Sequence, residues 1–506
     1  MIRSLAAAPK SRLVYFKNAC RSLSSLSTIR NPATGEIVAE VPVGGAAEVT
    51  AAVEAADAAF SSWSKMEPCE RARILNRTAE LLRRDLGELA EMETRATGRP
   101  IREYKAQLGR VPSWFEYHAA LAQTMEGTMP PFFGSEDHHA YVRRVPLGVV
   151  ALVTSFNHPL LISSKKISVA LAAGNTAVVK PPPAAPLTIL KLADLMKEAG
   201  LPDGVLNVVP STDVEAGNVL TTHPAIAKVD LTGGNVTGRI LGEAAGKSVK
   251  RFTAELGGNA PVIVFADAPS IDAAVNGVAF AAFVASGQTC VSAKRIIIAE
   301  EIYDEFVAKL AEKADSLRMV DPSSDDCHIG PLIHERAIEN VEDQVKRSID
   351  AGAVALAGAK RPDAHRCPQT AMGHWYEPTV LEIENADNPC FREEIFGPVV
   401  SVQRFSDEQE AIDLANDSQF GLGGAVWTSN VGRALRVANK VRAGVFWCNT
   451  HHRNDPSTPW GGFGESGIGR ENGHEAFREY TETQSVVIRT SDEPEDWFGN
   501  PAARYS

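Results

Sequence analysis

Between Leu147 and Gly238 the chain alternates short apolar runs with longer helix-like ones. This rhythm limits the folds open to it more than any other feature. LGVVALVTS, TAVVK, VLNVVP and AKVDLTGG are strand-like runs of aliphatic and β-branched residues. Between them lie PLLISSKKISVALAAG, opening on Pro159 and closing on Gly174, then PLTILKLADLMKEAGLP, which ends in Gly and Pro, and the shorter DVEAGNVLTTH. Proline in the first turn and glycine just past the last are the usual punctuation of a helix. Strands alternating with helices predict an α/β fold with a parallel, doubly wound sheet covered on both faces. Ligands in such sheets gather at the carboxyl ends of the strands.

A second α/β stretch begins near Pro261, with helix-like PSIDAAVNGVAFAAFVASG, EIYDEFVAKLAEKADSL and EQEAIDLANDS around strands such as RIIIAE and PVVSVQRF. Residues 46–60 and the run RARILNRTAELLRRDLGELAEMETRATG have helical periodicity. WGGFGESGIGRENG is too rich in glycine for regular structure and reads as a loop pressed close to something. At 506 residues two or three packed units are expected. A net charge of −12 argues against nucleic acid as the main partner. No apolar run is long enough to span a membrane. Seven widely spaced cysteines with no C-x-x-C pair point to free thiols in a reducing compartment and away from a structural metal site.

The first 30 residues differ from the rest. They carry Arg3, Lys10, Arg12, Lys17, Arg21 and Arg30, are rich in Ser, Ala and Leu, and precede the first acid, Glu36. That composition predicts a transit peptide over residues 1–29, removed between Cys20 and Arg30. It would address the chain to the mitochondrial matrix or a plastid. Without such an address the protein would be cytoplasmic.

Several residues could carry chemistry. Cys290, in ASGQTCVSAK, has small neighbours (Ala285, Ser286, Gly287, Thr289) that leave room for a substrate, as a nucleophilic thiol needs. Glu255 ends the strand-like run in FTAELGGNAP and is a candidate base. Asn157, in TSFNHP, follows a strand, and its amide could help stabilise an oxyanion. Lys180 ends AVVK, where it could hold a ribose hydroxyl or a phosphate. Gly233 and Gly238 flank a strand-to-helix turn of the kind that meets a pyrophosphate. Glu394, two residues before Phe396 in EEIFGPVV, could take ribose hydroxyls while the ring lies beside a flat cofactor.

In this order these segments resemble the NAD(P)-dependent aldehyde dehydrogenases. NPATGE, SFNHPLL, ALAAGNTAVVKP, GLPDGVLNVV, LTGGNVTG, ELGGNAPVIV, SGQTC, EEIFGPVV and WGGFGESGIGRENG span most of the chain from Asn31 to Val487. The resemblance implies a dinucleotide-binding domain (30–128 and 146–257), a catalytic domain (258–465) and a small β oligomerisation arm (129–145 and 481–492). A homodimer or homotetramer would follow. It implies that Cys290 attacks an aldehyde, that the Asn157 amide and the Cys290 N–H stabilise the oxyanion, and that Glu255 activates water against the thioester. It also implies that Lys180, Gly233, Gly238, Glu394 and Phe396 hold NAD or NADP. A form that passes the thioester to coenzyme A and a catalytically silent scaffold remain alternatives. The presence of Glu255 weighs against the first, and the intact set of Asn157, Glu255 and Cys290 weighs against the second.

The chain also departs from the family pattern. Pro183 stands where a glutamate usually follows the lysine matching Lys180, and losing that carboxylate weakens a preference for NAD over NADP. His158 and Lys165 replace an apolar aromatic pair of the substrate tunnel, and NTHHRNDPSTP adds His451, His452 and Arg453. These residues predict a polar or anionic substrate, such as a semialdehyde or an oxygenated aromatic aldehyde; the alternative is that Lys165 and Arg453 point to solvent or pair with acids. Ala285 and Gly464 replace a frequent asparagine and lysine without touching the core machinery.

Overall fold

The computed structural model describes residues 25–132, 136–368, 373–492 and 498–499. Most of the predicted transit peptide, residues 1–24, therefore lies outside the described residues, as do positions 133–135 of the predicted arm. A boundary after residue 29 would cut into folded structure. Strand β1 (Leu26–Arg30) pairs antiparallel with β2 (Ile37–Pro42), and Ile29 is buried in that pairing. Cleavage near Arg30 would remove a folded strand.

Helices α1 (Ala46–Ser64), α2 (Pro68–Arg84), α3 (Leu86–Thr97), α4 (Ile101–Leu108) and α5 (Pro112–Thr124) follow. After β3 (His138–Pro146) comes the alternating region: β4 (Val149–Val153), α6 (Pro159–Ala172), β5 (Thr176–Lys180), α7 (Leu187–Glu198), β6 (Leu206–Val208), α8 (Val214–Thr222), β7 (Ile226–Thr232), α9 (Asn235–Lys247) and β8 (Arg251–Glu255). These strands form a sheet in the order β8-β7-β4-β5-β6, all parallel. Strand β4 is buried on both faces and α6 along its whole length, as expected where helices cover both sides. The order reverses between β4 and β7, so a crevice opens beyond their carboxyl ends. Asn157 lies just past β4, at that crevice.

The second sheet is built from β9 (Ala260–Val264), α10 (Ile271–Phe283), β10 (Ala293–Ala299), α11 (Tyr303–Ser316), α12 (Glu335–Asp350), β11 (Val354–Ala357), β12 (Thr379–Glu382), β13 (Val399–Phe405), β14 (Gly423–Trp427) and β15 (Val445–Cys448). Its order is β11-β12-β13-β10-β9-β14-β15, parallel except for β11. The chain then returns to the first sheet, where β16 (Gly467–Ile468) pairs antiparallel with β8. Last, β17 (Thr481–Arg489) pairs with β3 along its length, forming a two-stranded ribbon that stands apart from both sheets. No helix of the described residues is long and apolar enough to cross a membrane.

Candidate active site

Cys290 does not sit at the carboxyl end of a strand. It precedes β10, at the amino end of the second sheet, and faces the carboxyl end of the first, where β8 delivers Glu255 and β4 leads into Asn157. The cleft is therefore made by two sheets meeting end to end. Residues 256–259 are the short link between β8 and β9. An added Cβ at Gly258 would collide with the Cys290 carbonyl, so glycine is required there for the nucleophile's loop to pass.

That loop is held in an unusual conformation. Ala285, Ser286 and Gly287 all have positive φ (54°, 54° and 67°). Left-handed alanine and serine are costly and persist only where surroundings over-determine them. Here the Ala285 N–H donates to Glu103 Oε2 (3.0 Å), Ser286 Oγ donates to the Gly330 carbonyl (2.8 Å), and buried Lys294 donates to the carbonyls of Gly287 (3.0 Å) and Gly397 (2.6 Å). Lys294 ties the nucleophile loop to the Glu394–Phe396 segment, and sequence inspection had no reason to single it out.

Burial, then the charges of Glu255 and Glu394, pushes the Cys290 thiol up to about 12. The resting cleft thus holds a thiol, which would have to lose its proton to act as a nucleophile. Asn157 is buried, and its Oδ1 accepts from Ser155 Oγ (2.8 Å), which leaves Nδ2 as the outward donor. Glu255 is buried with no hydrogen bond to either carboxylate oxygen. Burial and then the negative Glu471 push its carboxyl well above the usual range, against the pull of Lys165 and Lys166. Gly461, from the glycine-rich loop, has φ +152°, and a Cβ there would come within 2.9 Å of Glu255 Oε1. The close approach expected of that loop is to the candidate base.

A cavity of about 450 Å³ opens beside the cleft, lined by Phe156, His334, Gln344, Arg347, Glu394 and Phe396 among others. Phe156 and Phe396 meet edge to face at 6.0 Å. Glu394 Oε1 accepts from the Gly258 N–H (2.9 Å), and burial raises its carboxyl to about 7. Lys180 ends β5 with its ammonium partly buried and its affinity for a proton lowered by that burial. Pro183 is exposed three residues on. Gly233 and Gly238 shape the turn into α9. The Gly233 N–H donates to the Glu255 carbonyl (3.0 Å), and a Cβ at Gly238 would meet Leu256 at 2.6 Å. The donors left over belong to the first turn of α9, from Asn235 onward. Open-faced aromatic, carboxylate, lysine and helix N-terminus together fit a dinucleotide.

The predicted tunnel residues need two corrections. Lys165 does not offer a free ammonium. It is buried on α6, 2.5 Å from Glu471 and 5.0 Å above the centre of the Trp460 ring. Its neighbour Lys166 is also buried and binds both Asp230 and Glu471. Burial alone would raise the Glu471 carboxyl, but the two ammonium groups hold it below the usual range. Arg453 is exposed, and only its backbone carbonyl takes part, accepting from Trp447 Nε1 (3.0 Å). His158 and His452 do lie inward. Burial, then Arg99, lowers the His158 imidazole well below its ordinary value, and burial lowers His452 to about 4. Both rings are neutral. Arg99, near His158, is paired with Glu103 (2.5 Å). Arg99, Glu103, Lys166, Asp230 and Glu471 escaped sequence inspection. The signal available was the tandem Lys165–Lys166 in a helix otherwise free of charge, which demands buried acids nearby.

Residues 21–486 match the model of the aldehyde dehydrogenase family. The chain is 40% identical to a (Z)-2-((N-methylformamido)methylene)-5-hydroxybutyrolactone dehydrogenase of Acinetobacter baylyi, covering 92% of this chain and 94% of that one. It is 39% identical to the betaine aldehyde dehydrogenase of Bacillus subtilis (94% and 96% covered) and 40% identical to the phenylacetaldehyde dehydrogenase of Pseudomonas fluorescens (91% and 92%). Among solved structures it resembles PnpE from Pseudomonas sp. WBC-3, also known in complex with nicotinamide adenine dinucleotide, at a TM-score of 0.90 and 39% identity, with 94% and 96% covered. With a cysteine loop, a buried carboxylate, an amide donor and a dinucleotide-shaped cleft converging on one place, the chain belongs to the aldehyde dehydrogenase family and is an NAD(P)-dependent aldehyde dehydrogenase.

Proposed function

We propose that Cys290 is the nucleophile in the NAD(P)-dependent oxidation of a neutral, oxygenated or aromatic aldehyde to its carboxylic acid. The Cys290 sulfur bonds to the carbonyl carbon as its proton passes to solvent at the mouth of the cleft. The resulting oxyanion lies between the Asn157 Nδ2–H and the Cys290 N–H. Bound NAD(P) would supply the hydride acceptor through which the Cys290 adduct would become a thioester. Glu255 then removes a proton from water attacking that thioester, and the acid leaves with Cys290 restored as a thiol. Glu394 and Phe396 hold the nicotinamide ribose and ring, Lys180 the adenosine ribose, and the first turn of α9 the diphosphate. Pro183 leaves no carboxylate to repel a 2′-phosphate, so NADP is accepted alongside NAD.

The observation that carries the substrate class is the engagement of the inward-facing cations near the cysteine: Lys165 on Glu471, Arg99 on Glu103 and Lys294 on the Gly287 and Gly397 carbonyls, with His158 and His452 neutral. An anionic substrate would find no uncompensated cation, which removes the ground for the carboxylated semialdehyde reading. A cationic substrate like betaine aldehyde, named for one relative, would find the Trp460 face taken by Lys165. Aromatic rings at Trp447, Trp460 and His451 and the polar ring of His452 suit a neutral oxygenated or aromatic aldehyde.

The exposed apolar residues Tyr141, Val487 and Ile488 on the β3–β17 ribbon support its pairing with a second copy of the chain, giving a homodimer or homotetramer. The basic N-terminal segment is proposed to be a mitochondrial transit peptide cut before Leu26, since β1 must be kept.

Initial rates of cofactor reduction test the reading, using protein beginning at Ser25 and a panel of neutral aromatic, hydroxylated, carboxylated and quaternary-ammonium aldehydes. Each is run with NAD and with NADP, beside Cys290→Ala. Neutral aldehydes should lead in kcat/KM and the variant should be inactive. A carboxylated or cationic aldehyde leading the panel would overturn the substrate class.

A further inference from the structure

The two oxyanion donors arrive from different sheets. Asn157 follows β4 of the first, and Cys290 precedes β10 of the second. Both must aim at one oxygen, and a misplacement of about 1 Å at such a site can cost about 100-fold in rate. Something must hold the two loops in register.

The residues next to them touch directly. His158, which follows Asn157, places Nε2 2.8 Å from Oγ1 of Thr289, which precedes Cys290. Arg99 settles which nitrogen carries the proton. A guanidinium only donates, and Arg99 Nη1 lies 2.6 Å from His158 Nδ1, with Gln107 Nε2 donating to the same atom at 3.1 Å. Nδ1 is therefore the acceptor, and Nε2 bears the hydrogen given to Thr289 Oγ1. Arg99 is anchored in turn, its Nε donating to Glu103 Oε2 (2.5 Å). That same oxygen accepts the Ala285 N–H (3.0 Å) at the start of the left-handed turn. The path leaves the nucleophile loop at Ala285, runs through Glu103, Arg99 and His158, and re-enters at Thr289. Arg99 and Thr289 are buried and Glu103 nearly so.

We propose that Glu103, Arg99, His158 and Thr289 form a closed bracket that sets the Asn157 amide against the Cys290 N–H. They act as positioning residues and not as groups that touch the reacting carbon. The proposal rests on the reading of Asn157 and Cys290 given above. Protonated His158 cannot accept from Arg99, so the bracket requires the neutral ring that the buried guanidinium enforces.

The test compares Thr289→Val, Thr289→Ser, His158→Phe and the double variant His158→Phe with Thr289→Val, beside wild type and Cys290→Ala, by kcat, aldehyde KM and thermal midpoint. Thr289→Val keeps the shape of the side chain and removes the acceptor. It and His158→Phe should lower kcat about 10- to 100-fold with KM nearly constant, because the lost interaction serves the transition state. Thr289→Ser should recover most of the rate lost in Thr289→Val. The double variant should be little worse than either single one, as expected when two residues act as a unit. A Thr289→Val enzyme with kcat within about twofold of wild type overturns the bracket, provided Cys290→Ala is inactive. Activity surviving in Cys290→Ala instead overturns the reading beneath it. If His158→Phe fails to fold, the Thr289 pair decides alone.

Discussion

Replacing Lys165 by Met removes one of the two ammonium groups on Glu471 and leaves an unbranched side chain over the Trp460 ring. Lys165 Nζ is 2.5 Å from Glu471 Oε2, with both side chains less than a tenth exposed. At an effective dielectric of about 20 that contact amounts to about 7 kcal/mol of attraction. Desolvating the ammonium takes back several kcal/mol. Glu471 keeps Lys166 at 2.7 Å, so it is not left unpaired. The net loss should be about 3 kcal/mol of stability, read as a lower midpoint in urea unfolding. The cluster Lys165, Lys166, Asp230 and Glu471 also changes from neutral to negative. Lys165 favours the ionised forms of both Glu255 and Cys290. Without it both groups hold their protons to higher pH. The rising limb of the kcat–pH profile, which needs ionised Glu255, should shift to higher pH, and alkylation of Cys290 by iodoacetamide at a fixed pH should slow. Unchanged stability would refute the charge pairing. A stability loss with an unmoved pH limb and alkylation rate would refute the claim that Lys165 acts on the reacting groups.

Three other outcomes are expected. Glu255→Gln should still release about one equivalent of reduced cofactor per site in the first turnover, then fall at least about 100-fold in steady state, because the thioester forms but loses its base; rapid-mixing absorbance reads both phases. Glu93, buried on α3 with Oε2 unpartnered, accepts from the Leu160 N–H and Thr188 Oγ1 at 2.7 Å each, and burial raises its carboxyl from an ordinary 4.5 to about 7. As pH rises through that window the unfolded chain loses this proton first, so the raised group should cost about 3 kcal/mol of stability by the upper end, and Glu93→Gln should flatten that part of the stability–pH curve. Pro183→Glu should restore a carboxylate near Lys180 and lower the NADP-to-NAD ratio of kcat/KM by about tenfold or more, or about 1.4 kcal/mol; an unchanged ratio would mean that another group reads the ribose.

Much of the fold was legible because its cause is local. Runs such as VVALV and APVIV are apolar on both faces, and only a covered parallel sheet accommodates that. Asn157, Glu255 and Cys290 could be named because they belong to contiguous motifs. The misreadings share another cause. Residues up to Arg30 share one basic composition, yet Leu26 onward pairs with β2. Lys165 reads as a cation in a tunnel until Glu471, far along the chain, is placed against it.

By itself the sequence determined the alternating α/β architecture and the family, and it offered the candidate reacting groups, since periodicity and contiguous motifs are properties of neighbouring residues. Only the tertiary structure decided the sign of the electrostatics around the nucleophile. Charge compensation, burial and the tautomer of His158 depend on Glu103, Arg99, Glu471 and Asp230, which fold into contact from distant segments. In a low-dielectric interior a partner a few ångströms away outweighs anything beside it in the chain.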